Sequence, residues 1–347
     1  MQDEHCQHVV IALTEVTDFS KLLNDSVDVY QLDKKPGKDL KSHWRLFKLL
    51  RKIKPRLLHS YNLSAIEYHP IAKLAGVKAN IHAEHGRDNS DPLGLNKKHN
   101  LLRRLMAPFI HYFVPVSTDL EHWLKATINI PNRKNILIRN GINTNEFNCQ
   151  QKPQAYNQDN NIKLIRLIHV ARLDPVKNQS GLLQGLALLV QRKKLTAEDI
   201  HLTIVGDGNQ MTALVALSEA LGVSTLVEFT GARNNISELL SKSDVFVLSS
   251  IAEGIPMTVL EAMASGLPIV TTNVGGLAEV VTDGETGYLV EKQNSEALGF
   301  ALEKYINNSN LIKQHGNSAR SYILEHFSEQ KMVSEYLRLY QKSLGKL

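Results

Sequence analysis

Seven residues separate two glutamates in Glu253-Gly-Ile-Pro-Met-Thr-Val-Leu-Glu261, the most chemically suggestive spacing in the 347-residue chain. Glu253 falls in a loop after a strand pattern, Asp244–Leu248, and Glu261 lies inside the helix expected next, Thr258–Ala264. Gly254 lets the backbone approach a ligand closely, and Pro256 sits where a helix can start. Free amides at such a start favour a phosphate. Glu253 then suits sugar hydroxyls as an acceptor, and Glu261, about two turns in, suits a ribose. Alone, the pair reads more readily as two solvated helix-end charges.

Four other loops carry compatible chemistry. Arg172 and Lys177 bracket a turn in Ala-Arg-Leu-Asp-Pro-Val-Lys-Asn and could clamp the two phosphates of a nucleotide diphosphate, Arg as a planar fork and Lys as a mobile point charge. Gly206-Asp207-Gly208 lets a flat base lie against the backbone, or is a plain strand-to-helix turn. Gly231-Ala232-Arg233 could meet the base edge, and Asn273-Val-Gly275-Gly276 opens another helix. In the first half, His82-Ala-Glu-His85-Gly-Arg-Asp88 also follows a strand pattern, although a lone histidine is more often structural.

These loops need a scaffold that delivers strand ends to one place. The second half alternates strands (Lys163–Val170, Ile200–Val205, Val227–Thr230, Asp244–Leu248, Pro268–Thr271) with helices, and its strands are apolar without strict alternation. That pattern belongs to a parallel sheet covered on both faces, a doubly wound α/β domain with ligands at the carboxyl edge. The first half repeats the rhythm less cleanly, with strands at His8–Leu13, Val27–Gln31, Arg56–His59, Ala79–His82 and Tyr112–Val116. The chain divides into a domain over 1–147, a polar linker over 148–161, a second domain over 162–327, and an amphipathic helix within 328–347 suited to packing back on the first domain. Two such domains face each other across a cleft.

Composition sets limits. Hydrophobic content of 43% and charged content of 22% are ordinary for a globular chain. No apolar run reaches the roughly 18 residues of a membrane helix. The opening MQDEHCQHVV does not read as a secretory signal, and Cys6 and Cys149 cannot build a disulfide scaffold, which suits a reducing cytoplasm. Residues 1–155 carry a net charge of +8 and residues 156–347 a net charge of −3, so the first half should meet something anionic, phosphate or a lipid surface. Nucleic acid is disfavoured, because zinc spacings and interleaved aromatic–basic strands are missing. Helix Asn96–Ile110 sets Leu101, Leu102, Leu105 and Met106 beside Lys97, Lys98, Arg103 and Arg104; it could lie on an anionic membrane or pack as an ordinary core helix.

Together HVARLDPVKN, LTIVGDG, FTGARNN and DVFVLSSIAEGIPMTVLEAMASGLPIVTTNVGGLAEVVTDGETGYLV resemble the retaining glycosyltransferases of family 4, whose fold is α/β GT-B, two doubly wound Rossmann-like domains facing across a cleft. The glutamate pair matches that family's EX7E signature. The resemblance implies that Glu253 contacts the donor sugar, that Glu261 contacts the ribose, and that Arg172 and Lys177 hold the diphosphate. Gly206, Gly208, Arg233, Gly254, Ile255, Thr258 and Val259 complete the implied donor site, and His85, a better counterpart than His82, takes the family's active-site histidine position. Asn140-Gly-Ile-Asn143…Phe147 is similar to the family's Asn-Gly-Val-Asp…Phe segment. The EHGRD and ALTEVTDF stretches resemble a bacterial subgroup found with exopolysaccharide and exosortase genes.

The resemblance implies a nucleotide-diphosphate sugar as donor, a lipid-linked or saccharide acceptor, retention of configuration, no metal or other cofactor, and a cytoplasmic enzyme peripheral to the inner face of the membrane. The chain has no Asp-x-Asp motif of the metal-dependent kind. It departs from the family at its start, where a Gly-rich βα unit is expected and the first glycine is Gly37. A misplaced start or a truncated gene would explain this, and omission of a central strand should leave open edges within the first domain. Two alternatives therefore stand beside the transferase: an inactive sugar-nucleotide-binding partner subunit, and a GT-B nucleotide-sugar epimerase.

Overall fold

The structure, a computed structural model, describes residues 7–16, 20–21, 23–88, 91–148 and 164–345. Both cysteines and the 149–161 part of the expected linker lie outside the described residues.

The first half runs β1 (Val9–Ala12), β2 (Asp28–Gln31), α1 (Leu40–Ile53), β3 (Leu57–Tyr61), α2 (Asn62–Ile66), α3 (His69–Leu74), β4 (Ala79–Glu84), α4 (Lys97–Met106), β5 (Tyr112–Pro115) and α5 (Thr118–Ala126). Between β3 and β4 the chain forms two short helices, α2 and α3, rather than one. Pro70, in the first turn of α3, lacks the N–H that a continuous helix would need there. Pro108 likewise ends α4 in a short 3-10 turn, Ala107–Phe109, so the helix stops before Ile110.

All pairings in this half are parallel, but the strands form two sheets, β1-β2 and β3-β4-β5. One edge of β1 and one edge of β3 are therefore unpaired among the described residues. Val10 of β1 is 40% exposed, whereas every residue of β4 is buried.

The second half forms one six-stranded parallel sheet from β6 (Ile165–Val170), β7 (Ile200–Val205), β8 (Val227–Gly231), β9 (Val245–Leu248), β10 (Ile269–Thr272) and β11 (Gly287–Val290), in the order β11-β10-β9-β6-β7-β8. Helices α6 (Gln179–Lys193), α7 (Met211–Ala220), α8 (Ile236–Ser241), α9 (Met257–Ala264), α10 (Ser295–Asn307) and α11 (Asn310–His326) accompany it. Every residue of β9 and β10 is buried, as strands covered on both faces require. Strand order reverses between β6 and β9, which sets the loops after these two neighbouring strands together beside a crevice at the carboxyl edge.

The last helix, α12 (Glu329–Ser343), returns to the first half. Its Tyr336 and Leu339 join a buried cluster with Ile81, Ala83, Val114 and Ile138, and Tyr340 Oη lies 2.7 Å from His59 Nδ1. Removal of Leu339 by Leu339→Ala should cost the first half about 2–5 kcal/mol, although the residue is remote in sequence. Both tryptophans, Trp44 and Trp123, lie in the first half, so denaturant unfolding followed by tryptophan fluorescence reads this directly. An unchanged midpoint would contradict the packing of α12.

Candidate functional site

The reversal of strand order brings the loop after β6 against the loop after β9. The Ile251 N–H donates to the Val176 carbonyl at 2.8 Å, and the Ser249 hydroxyl lies 3.0 and 2.8 Å from the carbonyls of Lys177 and Asn178. This backbone lock fixes two side chains together. Lys177 Nζ lies 2.6 Å from Glu253 Oε1, and the Ser250 hydroxyl donates to the same oxygen at 2.6 Å. The Glu253 side chain is only 7% exposed. Such a pair gives up much of its hydration, and the added hydroxyl helps to offset that cost.

Arg172 stands nearby at the mouth of the same cleft, mostly exposed and paired with Asp174 at 3.2 Å. The cleft has a volume of about 360 Å³ and is lined from the second half by Arg172, Lys177, Glu253 and Gly254. Asn62, Ser64, His85 and Arg87 line it from the first half. The two halves approach closely at Gly254, where a Cβ would sit 2.4 Å from the His85 carbonyl oxygen. Gly275, at φ +56°, is required for a second reason: a Cβ there would lie 1.9 Å from the Glu253 carbonyl.

His85 closes the opposite wall. Its backbone N–H donates to Asn62 Oδ1 at 3.0 Å, and Asn62 itself holds the left-handed conformation (φ +58°) that asparagine tolerates better than most residues. His85 is half-buried, and its Nε2 is shielded from solvent and has no hydrogen-bond partner among the described residues. Burial pushes its imidazole below the ordinary value, partly countered by Glu84.

Behind it runs a buried polar chain. Ser60 Oγ contacts His69 Nε2 at 2.8 Å and His82 Nδ1 at 2.7 Å; His82 Nε2 lies 3.3 Å from Glu84. Arg103 grips both oxygens of Glu84 at 2.6 and 3.2 Å. Burial alone would raise the Glu84 carboxyl, but the hydrogen bonds and charges of His82 and Arg103 outweigh it and hold the group down to about 2.

Contacts across the halves continue beside the cleft. Glu279 accepts from the Thr118 N–H at 2.7 Å and hydroxyl at 2.6 Å, and pairs with Arg139 at 3.0 Å. Asn140 Nδ2 donates to the Ile255 carbonyl at 3.2 Å.

The remaining residues singled out from sequence fall in three places. Gly206 and Gly208 form the turn after β7, joined to its neighbours by Gly206 N–H to Gly231 O and Leu173 N–H to Asp207 O, each 2.9 Å. Ile255 and Val259 are core residues, 3% and 0% exposed, so their backbone rather than their side chains can face a ligand. Thr258 and Glu261 are half-buried on α9. Arg233 is not brought to the cleft: it is exposed and lines a separate hollow with Arg166, His201 and Glu228.

Asn62, Ser64, Arg87 and Glu279 were not anticipated in these roles. Asn62 and Ser64 follow β3 immediately, and the rule that ligands gather at strand carboxyl ends would have found them. Glu279 carries no such signal. Among the described residues, no group of three or more His, Cys, Asp or Glu has a metal-site arrangement, and no helix is long and apolar enough to cross a membrane.

Glu261 has its carboxyl pushed up to about 7, first by burial and then by the neighbouring Glu146 charge. Any ligand that needs the ionised carboxylate should therefore bind progressively more weakly as pH falls below about 7. Carboxyl ¹³C NMR should find Glu261 titrating near neutrality, with Glu146→Gln lowering it only in part; titration in the ordinary glutamate range would contradict the burial.

Comparison with known proteins gives the same picture for both halves. The model described as Glycosyltransferase Family 4 matches residues 2–146, and that described as Glycosyl transferases group 1 matches residues 152–322. N-acetyl-alpha-D-glucosaminyl L-malate synthase of Bacillus anthracis is 34% identical over 174 residues, which are 50% of this chain and 44% of that protein. The putative glycosyltransferase EpsD of Bacillus subtilis is 33% identical over the same shares, so the chain spans less than half the length of these two relatives. UDP-Gal:alpha-D-GlcNAc-diphosphoundecaprenol alpha-1,3-galactosyltransferase of Escherichia coli is 26% identical over 87% of this chain and 79% of its own.

Among solved structures, HepE of Anabaena in complex with UDP and glucose superposes with a TM-score of 0.81 at 19% identity, covering 96% of this chain and 91% of its own. Sucrose-phosphate synthase from Thermosynechococcus elongatus gives 0.80 at 17% identity, covering 98% and 90%. These likenesses carry the fold, two Rossmann-like halves around a cleft. With both halves matched in sequence and the architecture matched in space, the chain belongs to family 4 of the GT-B glycosyltransferases.

Proposed function

We propose that the chain moves a sugar from a nucleotide-diphosphate sugar to a lipid-linked or saccharide acceptor, with retention, in bacterial cell-surface or exopolysaccharide synthesis. The observation that carries this reading is the Lys177–Glu253 pair at the strand-order reversal, facing His85 across the cleft. A cation for phosphate and an anion for sugar hydroxyls stand side by side, 2.6 Å apart, the two chemistries that a sugar nucleotide joins.

In this reading Arg172 and Lys177 take the diphosphate and stabilise the charge that grows on it as the bond from the anomeric carbon to the phosphate oxygen breaks. Glu253 accepts from the sugar hydroxyls. The acceptor oxygen bonds to the anomeric carbon from the face the phosphate leaves, and its proton passes to a departing phosphate oxygen. His85, with Nε2 hydrogen-bonded to no protein group among the described residues, positions the sugar. The step uses no metal, since the two cations and the α9 amides neutralise the leaving group. Glu261 binds the ribose, with the pH dependence given above. The E. coli relative, whose name specifies a diphosphoundecaprenol-linked acceptor, supports a lipid-linked acceptor, and hence a cytoplasmic protein peripheral to the membrane.

A second reading, a sugar-nucleotide-binding partner subunit, is favoured by one observation, the division of the first-half strands into two sheets. Turnover separates the two. The purified chain is incubated with a panel of sugar nucleotides and membrane lipid extract, and nucleotide release is followed. Release that falls by about 10²–10³-fold in Lys177→Ala or Arg172→Ala is the expected result. Donor binding without release would favour the partner subunit, and absence of binding would overturn both readings.

A further inference from the structure

Helix α4 places polar residues at its most buried positions. Its buried positions are Asn100 and Arg103, at 7% and 2% exposure, while Leu101 and Leu105 are 54% and 57% exposed. The sequence places Arg103 with the basic surface residues, but it is the inner anchor. It holds the Glu84 carboxylate and stacks over Trp123 at 4.8 Å, while Asn100 Nδ2 and Trp123 Nε1 both donate to the Gly94 carbonyl, at 2.9 and 3.2 Å. These polar ties fix the rotation of the helix, so that Leu102 and Met106 pack inward while Leu101 and Leu105 face out.

The outward face therefore presents Leu101 and Leu105 among exposed Lys97, Lys98 and Arg104. The preceding loop adds Leu93 and Leu95, at 54% and 71% exposure. The strip is continuous with the site, because Pro92 and Leu93 line a hollow shared with Arg87, Glu253 and Gly275. Four exposed leucines interspersed with cations do not suit water, and a neutral protein partner would leave the cations uncompensated. A surface that is apolar just below an anionic layer satisfies both.

We propose that Leu93, Leu95, Leu101 and Leu105, with Lys97, Lys98 and Arg104, form the face on which an anionic lipid bilayer docks, with the cleft mouth at its edge. This deepens the membrane-peripheral transferase reading and rests on it only for the purpose of the docking, which is to let a lipid-linked acceptor reach the cleft beside His85. The contact also leads inward. Arg103 on the buried side of α4 grips Glu84, the residue immediately before His85.

The test is flotation of the full chain with vesicles of phosphatidylcholine alone and of phosphatidylcholine mixed with phosphatidylglycerol. Binding only to the anionic vesicles is expected, weakening with salt. It should fall more than about tenfold in Leu101→Ser/Leu105→Ser, and on the order of thirtyfold in Lys97→Gln/Lys98→Gln, whose two charges each count near such a surface. An unchanged unfolding midpoint by tryptophan fluorescence shows that the variants remain folded. Equal binding of wild type and variants, or of both vesicle types, would overturn the proposal. So would self-association in the absence of vesicles that Leu101→Ser/Leu105→Ser abolishes, because the face would then belong to a second copy.

Nucleotide release from donor, measured on the same preparations with detergent-dispersed lipid extract, keeps the two readings apart. Release without flotation rejects the docking face alone, and flotation without release rejects the transferase alone.

Discussion

The half-buried ion pair between Lys177 and Glu253 is the constraint around which the cleft is arranged. It exists because strand order reverses between β6 and β9, which sets two loops side by side with nothing between their tips. A lysine and a glutamate so placed, and largely withdrawn from water, hold each other in position. Neighbouring features serve that pair. Ser249 and Ile251 lock the two loops together, Ser250 takes a further lone pair of Glu253, and Gly275 lets the next loop pass against the Glu253 carbonyl. In the proposed reaction, the sugar nucleotide replaces this internal pairing, offering phosphate to Lys177 and hydroxyls to Glu253.

The first half reaches the pair through few, specific contacts. Gly254 admits the His85 carbonyl, Glu279 gathers Thr118 and Arg139, and α12 binds the second half back onto β3 and β4. Behind His85, the row Arg103–Glu84–His82–Ser60–His69 replaces what would otherwise be an apolar core. Its hydrogen bonds run unbroken from Arg103 to His69, whose Nδ1 alone in this row is buried without a partner among the described residues, and such networks are rigid where satisfied and costly where not. It fixes the end of β4, and so the place of His85, while also setting the rotation of α4 at the surface.

Much of the second half is legible in its sequence because buried parallel strands announce themselves as short apolar runs and glycines mark the turns after them. Lys177, Glu253 and Gly254 could be placed at one edge from strand order of a doubly wound sheet alone. The fourth-residue run of β11, the helices α10 and α11, and the break between α2 and α3 were less visible. Tyr288 is an ordinary residue in a run of four, and a proline near a helix start looks the same as one within a helix until the turn before it is seen. Arg103 was misplaced for a deeper reason. Its charge points to solvent by composition, and only the three-dimensional position of Glu84, nineteen residues earlier, explains its burial. Likewise, nothing local marks Glu279, whose partners lie more than a hundred residues away.

The central claim is that Lys177 and Glu253 pair with each other only until a nucleotide-diphosphate sugar separates them. Calorimetric titration of UDP and GDP against wild type, Lys177→Ala and Glu253→Gln tests it directly. Glu253→Gln removes the competing charge while leaving Lys177 for the diphosphate, so its nucleotide affinity should be unchanged or tighter, whereas Lys177→Ala should lose affinity. A loss in Glu253→Gln as large as that in Lys177→Ala would show that the pair is a structural brace rather than a divided binding site.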